Sequence, residues 1–281
     1  MFKKVYIMYI YTETSIHPGT GTAINNIIDN PIQRERHTNF PIIQGSTLKG
    51  VLKSYADDLN ITQNEKDIIF GKEDRIGGIS FTDAKILAYP VRSLENIFYW
   101  TTSPLVLERY RKDAQICGID LKWNIPLIDD NNKAIISKKT SLSTSTLFLE
   151  DILLNTEKNE NIDSIINDLL KSIPYKDNLI SEKFKKDFSL ISDNLFRDFV
   201  TLTTEIIART RINEKGVVVE GALWYEEYIP SDTLMYSLIL VPNRISEDIN
   251  VIQNSIEKFN DCIINVGGDE TTGKGFVRIK V

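Results

Sequence analysis

The sequence predicts an α+β fold with a largely antiparallel sheet. Segments rich in β-branched and aromatic residues mix with segments of helical periodicity, and the two kinds do not alternate strictly. Turns rich in Gly, Asn and Asp separate several of the strand segments. The 281 residues allow one large domain with insertions or two small ones, and 42% of them are apolar, which is ample for a core. Because no repeat, low-complexity tract or flexible linker is evident, we expect a single domain over residues 1–281.

The first elements are a strand, a long loop and two helices. Val5–Thr12 predicts the strand, and Glu13–Asn30 is interrupted by Pro18 and glycines. Apolar residues at helical spacing predict a helix over Thr47–Leu59, with Ser46 or Thr47 as its cap. Thr62 is the expected N-cap of a second helix within Ile61–Phe70.

The middle of the chain predicts two strands, a helix, a hairpin and a helical region. In order, these are strands over Gly78–Ala88 and Asn96–Thr102, a helix over Leu105–Lys112, a hairpin over Trp123–Ser137, and two or three helices over Leu147–Val200, interrupted near Pro174.

The last third predicts a long hairpin followed by a strand, a helix and a second hairpin. Phe196–Ile212 and Val217–Tyr228 are apolar and β-branched on either side of an Asn-Glu-Lys-Gly turn. Met235–Val241 is the next strand, Ser246–Asn260 a helix, and Cys262–Val281 a glycine-bearing hairpin.

Composition excludes several classes of protein. No apolar run approaches the roughly 18 residues of a membrane span, so we expect no membrane partner and a cytoplasmic location. Two cysteines, Cys117 and Cys262, make a disulfide framework or a cysteine zinc site improbable and are expected to be buried. The net charge of −6 does not indicate a general nucleic-acid binder. Pro31–Tyr55 nevertheless holds four basic residues against one acidic residue, which suits a local groove.

The segment Gly45-Ser46-Thr47-Leu48-Lys49-Gly50 lies where a loop enters a helix. Free N–H groups and the helix dipole favour an anion there, Gly45 would let a phosphate approach, and Lys49 lies in the first turn. The segment therefore predicts a phosphate-binding site. An ordinary capped helix with a surface lysine explains the same six residues.

The C-terminal glycine-rich segment Val266–Gly275 resembles two nucleotide-binding motifs without fitting either. Gly268–Lys274 lacks the hydroxyl residue and the helix of a P-loop, and too little chain follows for a nucleotide cyclase. A turn whose backbone approaches RNA at Gly273 and Lys274 remains, with a simple hairpin turn as the alternative.

Three further groups are candidates for chemistry or binding. Asp29 lies in a loop beside basic residues and could hold a divalent ion or accept a proton, although most loop aspartates only form turns. His17 is a candidate for acid–base work. Arg209, Arg211 and the aromatic Trp224-Tyr225 would make a basic ribbon suited to bases, or a partly buried hairpin with a solvated edge.

Taken in order, five blocks resemble one family. They are Ile28–Thr38, Pro41–Gly50, Phe81–Ala84 with Pro90–Leu94, Leu223–Pro230 and Gly267–Gly275. This set is similar to the backbone subunit of the type III-B (Cmr) CRISPR effector, within the RAMP superfamily. The blocks span nearly the whole chain, and Gln44 departs from the family by standing where a proline is expected.

The resemblance implies a modified ferredoxin-like, RRM-like palm with helical insertions and a β-hairpin thumb. It implies stacked copies along a guide CRISPR RNA, other Cmr-complex subunits as partners, and cleavage of a target RNA at regular intervals. Asp29 would be the catalytic residue and the ligand of Mg²⁺ or another divalent metal, with His17 and Glu227 in support. The RNA's own 2′-hydroxyl would attack, leaving a 2′,3′-cyclic phosphate. The expected RNA-binding residues are Arg36, Gly45, Ser46, Thr47, Lys49, Lys53, Arg209, Arg211, Gly273 and Lys274.

The boundaries of the parts and two alternatives complete the prediction. We expect a small helical insertion at 57–75, a helical insertion at 147–200 and the thumb at 208–225, with Trp123–Ser137 as the rival thumb. The alternatives are the equivalent nuclease of a type III-A complex and a structural RNA-binding subunit without cleavage activity.

Overall fold

The computed structural model describes residues 2–21, 27–175, 179–243 and 249–281. The elements of the first half are β1 (Phe2–Thr12), β2 (Ile42–Ile43), α1 (Gly45–Ser54), α2 (Gln63–Ile69), β3 (Gly71–Lys72), β4 (Arg75–Ile76), β5 (Ser80–Phe81), β6 (Ala84–Arg92), β7 (Phe98–Thr102), α3 (Pro104–Ile116) and β8 (Lys133–Ile136). Those of the second half are β9 (Thr146–Leu149), β10 (Ile152–Lys158), α4 (Glu160–Leu169), α5 (Leu179–Lys186), β11 (Phe188–Ile191), α6 (Asp193–Leu202), β12 (Glu205–Ile212), β13 (Val218–Tyr228), β14 (Leu234–Pro242), α7 (Ile249–Glu257), β15 (Ile263–Asn265) and β16 (Phe276–Lys280).

Four strands and two helices form a ferredoxin-like palm. The strand order β16-β1-β14-β6 is antiparallel throughout, with α1 between the first and second strands along the chain and α7 between the third and fourth. This βαββαβ order is that of the ferredoxin-like fold. Leu48 and Leu52 of α1 and Ile252 and Ile256 of α7 are buried in one apolar core with the sheet. The predicted α+β class and largely antiparallel sheet are confirmed.

The sheet continues beyond β6 through a region inserted between the second and third palm strands. Its order is β7-β11-β8-β10-β9, and the pairs β8–β10 and β7–β11 are parallel. The helical prediction for 147–200 is wrong in part, because β9, β10 and β11 lie there with α4, α5 and α6. β10 joins the apolar run Ile152–Leu154 to the polar and charged residues 155–158 and leads directly into α4, so its sequence resembles part of one amphipathic helical region.

Two predicted hairpins have opposite outcomes. Trp123–Ser137 forms no hairpin, since its one strand, β8, pairs with β10 and β11. The β12–β13 hairpin exists as a separate two-stranded sheet with Asn213–Gly216 at its tip. Its first strand begins later than predicted, because Phe196 and the residues up to Leu202 belong to α6 and bury their apolar face.

The two N-terminal helices begin for different reasons. Thr62 accepts from the Glu65 N–H while the Glu65 carboxylate accepts from the Thr62 N–H, a complete capping box. The prediction that Ser46 or Thr47 caps α1 is wrong, because Gln44 occupies the N-cap position and its side chain makes no capping bond. The small 57–75 region holds α2 and the short β3–β4 hairpin.

The structure bears on three further predictions, which concern the last helix, the two cysteines and a membrane span. The predicted helix at Ser246–Asn260 is observed from Ile249 to Glu257, and Ser246 lies outside the described residues, as does part of the 13–30 loop. Cys117 and Cys262 are free thiols and only partly buried. Among the described residues, no helix is both long enough and apolar enough to span a bilayer.

Candidate functional site

The loop that carries Asp29 lies along the free edge of β13, opposite β12. The Tyr225 N–H donates to Asp29 Oδ2 at 2.8 Å, and the Asn30 N–H donates to the Tyr225 carbonyl at 3.0 Å. The Glu227 N–H then donates to the Asn30 carbonyl at 3.1 Å. The structure therefore fixes Asp29 at the base of the β12–β13 hairpin through one oxygen. No hydrogen bond to Asp29 Oδ1 occurs within the described part of the chain.

His17 contacts the same edge of the same strand, two residues further on. Its Nδ1 lies 2.6 Å from the Glu227 carbonyl oxygen. Because a carbonyl only accepts, Nδ1 carries the proton, and Nε2 is left as the basic nitrogen of the neutral ring. The His17 ring also packs at 5.4 Å from the ring of Tyr228. The predicted pair Asp29 and His17 is thus brought to one strand edge, with a rise of roughly 7 Å between their contacts.

Glu227 is the third predicted catalytic residue, and its carboxylate is occupied by the chain itself. Its Oε1 accepts from Arg34 at 2.5 Å and from Thr204 at 2.8 Å, and its Oε2 accepts from the Ile32 N–H at 3.0 Å. The side chain is 4% exposed. Glu227 therefore connects the loop to the hairpin and offers no free oxygen to a substrate.

The segment Arg34–Thr38 fastens this loop to two helices. Arg34 also donates to the Val200 carbonyl of α6 at 3.0 Å. The Glu35 carboxylate accepts hydrogen bonds from both terminal guanidinium nitrogens of Arg109 on α3, at 2.9 and 2.5 Å. Burial raises the pKa of Glu35, but the hydrogen bonds from Arg109 and Thr38 outweigh it and lower the pKa below its usual value. This part of the resemblance block is structural.

A second network joins the hairpin base to the C-terminal glycine-rich turn. The Tyr228 hydroxyl lies 2.6 Å from both Glu226 Oε2 and Asp269 Oδ2, and Arg209 donates to Tyr228 at 2.6 Å and to Glu226 at 3.1 Å. Burial raises the pKa of Glu226, but hydrogen bonds from Tyr228 and Trp224 outweigh it and lower the pKa well below its ordinary value. Arg209 is thus engaged with protein groups in this structure, and its predicted RNA contact stays a prediction.

Some of the remaining predicted RNA-binding residues already contact protein groups, and others make no ion pair to a described residue. Lys274 donates to Ser15 at 2.5 Å and lies 3.6 Å from Glu205. Gly273, with φ of +79°, ends the short 3-10 turn. Arg36 and Arg211 are exposed and make no ion pair within the described ranges. These two arginines remain available for phosphate contacts.

The predicted phosphate site at the start of α1 is occupied by a side chain. The Gly45 N–H donates to Asp83 Oδ1 at 2.9 Å. Glycine is required because a Cβ would lie 2.3 Å from the Phe81 carbonyl oxygen. The Gly45 N–H therefore already has a partner in the chain, and the phosphate-binding role of the segment stays a prediction. Lys49 and Lys53, one turn apart on α1, instead line a groove closed by the β3–β4 hairpin. Neither lysine has an ion pair among residues 2–21, 27–175, 179–243 and 249–281. Thr47 is partly exposed and Ser46 exposed at the end of that helix.

Comparisons with known proteins agree with this architecture along the whole chain. Residues 9–278 match the RAMP superfamily. The chain belongs to the RAMP superfamily. As a RAMP protein it is 43% identical to the CRISPR system Cmr endoribonuclease Cmr4 of Pyrococcus furiosus, over 98% of this chain and 95% of that protein. It is 28% identical to the CMR subunit Cmr4 of Saccharolobus solfataricus, over 97% and 94% of the two chains.

A solved structure of oligomeric Cmr4 from Pyrococcus furiosus has the same RAMP fold. Its TM-score with this chain is 0.81 at 38% identity, covering 99% of this chain and 97% of that one. The ferredoxin-like palm expected from the resemblance is therefore the fold of the family.

Sequence reasoning missed the residues that hold this RAMP site together. Arg34 meets Glu227 across 193 positions, and Asp83 meets Gly45 across 38. The sequence carries only part of the information needed to find these residues. Arg34 and Glu35 stood within a resemblance block, but nothing local indicated that their partners would be Glu227 and Arg109.

Proposed function

We propose that this chain is a repeated backbone subunit of a type III-B CRISPR effector that binds guide RNA and cleaves complementary target RNA at regular intervals. The observation that carries the proposal is the carboxylate of Asp29, fixed by one oxygen to the base of the β12–β13 hairpin. The full-length likeness to a Cmr endoribonuclease supports the reaction. Both Cmr4 relatives support type III-B over the type III-A alternative.

In the proposed reaction the chain positions RNA that supplies its own nucleophile. The β12–β13 hairpin splays the target strand, so that a 2′-hydroxyl lies in line with the adjacent phosphorus. Asp29 Oδ1 accepts the hydroxyl proton as the P–O2′ bond forms and the P–O5′ bond breaks. His17 Nε2, when protonated, returns a proton to the leaving 5′ oxygen. The products are a 2′,3′-cyclic phosphate and a 5′-hydroxyl.

The protein atoms of the site fit a divalent cation only if oxygens of the RNA supply the other ligands. Asp29 offers one oxygen, and the described residues contain no cluster of three or more His, Cys, Asp or Glu side chains suited to a metal. Mg²⁺ is commonly held by one or two carboxylates together with substrate phosphates. Such an ion would take the place of the proton at Asp29 Oδ1: that oxygen and the RNA would hold it weakly, and it would offset charge on the phosphate in place of the general-base role.

We place Glu227 among the positioning residues in place of the predicted catalytic role. Its buried carboxylate fixes the Asp29 loop through Ile32 and Arg34. Guide contacts are assigned to Lys49, Lys53, Arg36 and Arg211, which keep free charges. The proposed partners are guide RNA, target RNA, further copies of the chain and other Cmr subunits, in the cytoplasm.

Asp29→Asn tests the catalytic assignment without releasing the loop. The amide oxygen still accepts from the Tyr225 N–H, but it no longer takes a proton. We expect target cleavage by the assembled complex to fall about 100-fold or more, with guide and target binding unchanged. Asp120→Asn, at an exposed loop, is the matched control. Cleavage and binding are read by gel on labelled RNA.

Two other outcomes would redirect the proposal. Unchanged cleavage by Asp29→Asn would remove Asp29 as the catalytic residue. Assembly with guide and target but no cleavage by the unaltered chain, with Mg²⁺ or with Mn²⁺, would establish the structural alternative.

A further inference from the structure

The turn between β6 and β7 displays two large apolar side chains. Leu94 is 77% and Ile97 80% exposed. Asn96 and Ile97 have φ of +59° and +76°. A positive φ at a β-branched residue is a true outlier that costs conformational free energy, and such strain persists only where neighbouring structure enforces it.

The strained Leu94–Ile97 turn is held by a polar network centred on the buried carboxylate of Asp187. The Asn96 side-chain amide donates to Asp187 Oδ1 at 3.0 Å and to Ser141 at 2.9 Å. Lys183 donates to the Asn96 carbonyl at 2.6 Å and to Asp187 Oδ2 at 2.8 Å. Asp187 is only 6% exposed. These hydrogen bonds therefore hold the turn in one fixed geometry, in which Leu94 and Ile97 are exposed to solvent.

An apolar groove lies at the other end of β7, about 17 Å away along its five residues. We call it the α3 groove. The N-terminal end of α3 forms one wall, and the segment after α3 forms the other, with Leu105, Trp123, Ile125 and Leu127 as the apolar lining. Leu105 and Leu127 are 39% and 81% exposed.

The two surfaces also differ in charge. Lys139 and Lys186 adjoin Ser141 and Asp187, which hold the turn. Both lysines are exposed, and no ion pair to either occurs within the described ranges. The α3 groove is bordered by Asp193, and Asp129 and Asp130 lie two and three residues after Leu127. These three carboxylates have no cationic partner within 4.0 Å among the described residues. Among the residues that the structure describes, unpaired lysines thus flank the turn, which itself carries Glu95, while unpaired aspartates border the groove, where Arg111 is paired with Glu108.

We propose that the Leu94–Ile97 turn of one copy docks in the α3 groove of the next copy. Opposite ends of one molecule do not reach each other, so the contact is heterologous and repeats in an open row. The solved oligomeric relative covers almost the whole chain and makes a second copy the favoured occupant. The inference deepens the proposed function by naming the surface that joins adjacent subunits, and it gives a purpose to the Pro90–Leu94 resemblance block.

Ile97→Asn separates this role from a structural one. Asparagine tolerates a positive φ, so the variant is expected to melt at the same or a higher temperature. Because the apolar contact is lost, its self-association constant should fall at least tenfold in sedimentation experiments without RNA. Ile116→Asn, at the exposed end of α3, is the matched control and should associate like the unaltered chain. Leu127→Asp is the corresponding change on the groove side.

Mixing the two defective proteins gives the sharpest test. Ile97→Asn keeps an intact groove and Leu127→Asp keeps an intact turn. The mixture therefore forms one good contact and should stop at dimers, while each variant alone stays monomeric. Oligomers of unchanged length in either variant, or no dimer in the mixture of two folded variants, would overturn the proposal. Since RNA is absent, this result is independent of whether the chain cleaves RNA.

Discussion

At the scale of single residues, the position of the Asp29 loop depends on an ion pair that takes no part in the proposed reaction. Arg34 and Glu227 are 15% and 4% exposed, and together they fix the loop that carries Asp29. Removing one partner of such a pair leaves a buried, uncompensated charge. The loop, the base of the hairpin and α6 all meet at this pair.

We expect Arg34→Ala to lower the free energy of unfolding by about 3–5 kcal/mol. Adding Glu227→Gln should recover part of the loss, because the remaining buried charge is removed. Urea unfolding of the two single variants and the double variant measures the coupling. Strictly additive losses in this cycle would show that Arg34 acts independently of Glu227.

The same scale shows how far prediction from sequence reaches. Asp29 lies in a resemblance block and His17 matches the family's loop histidine outside the blocks, and the structure brings both to one strand edge. Arg209 is predicted from a basic, aromatic ribbon and Lys274 from a glycine-rich turn, and both are engaged with protein groups. Charge in a sequence indicates affinity for an anion, but only the fold decides whether the anion is a phosphate or a carboxylate of the same chain.

At the scale of elements, α1 differs most from its sequence interpretation. The motif that enters the helix suggested an anion at the first N–H groups, and Asp83 supplies one. The anion preference of a helix N-terminus was correctly inferred. The anion is the carboxylate of Asp83, which lies between β5 and β6, 38 residues from Gly45. No local sequence pattern reveals this pairing. The lateral face of α1, with Lys49 and Lys53 lining a groove, is the part proposed to contact RNA.

We expect Lys49→Ala and Lys53→Ala each to weaken guide binding and to reduce the salt dependence of log K by about one unit. The physical reason is the loss of one phosphate contact and its released counterions. Binding titrations across a salt series measure both quantities. Lys112→Ala, on an exposed part of α3, is the matched control. An unchanged slope in both variants would move the guide to another surface.

At the scale of the whole molecule, the palm is built without the β12–β13 hairpin. The hairpin is a separate sheet, and its residues from Ala208 to Leu223 are mostly exposed. An isolated two-stranded ribbon is marginal in water, and in this chain the Asp29 loop and the C-terminal turn hold the hairpin at its base. Its exposed outer part is the segment proposed as the thumb.

We expect a shortened hairpin to leave the palm intact while abolishing cleavage at regular intervals. Arg209 and Trp224 are directly paired, so Asn-Gly can replace Thr210–Leu223 as a two-residue turn. The melting temperature should change little. Target RNA should still bind, and the ladder of products should disappear. A persistent ladder would assign the thumb to another segment.

The edge of β13 has one last consequence. Asp29, Asn30 and His17 are all hydrogen-bonded to the backbone of the strand that runs on to the hairpin tip. A force on the hairpin tip would be transmitted along this strand to the Asp29 carboxylate and the His17 imidazole. The proposed catalytic groups and the proposed thumb are thus attached to one strand, so in the proposed function the position of the hairpin on the RNA would set the position of cleavage.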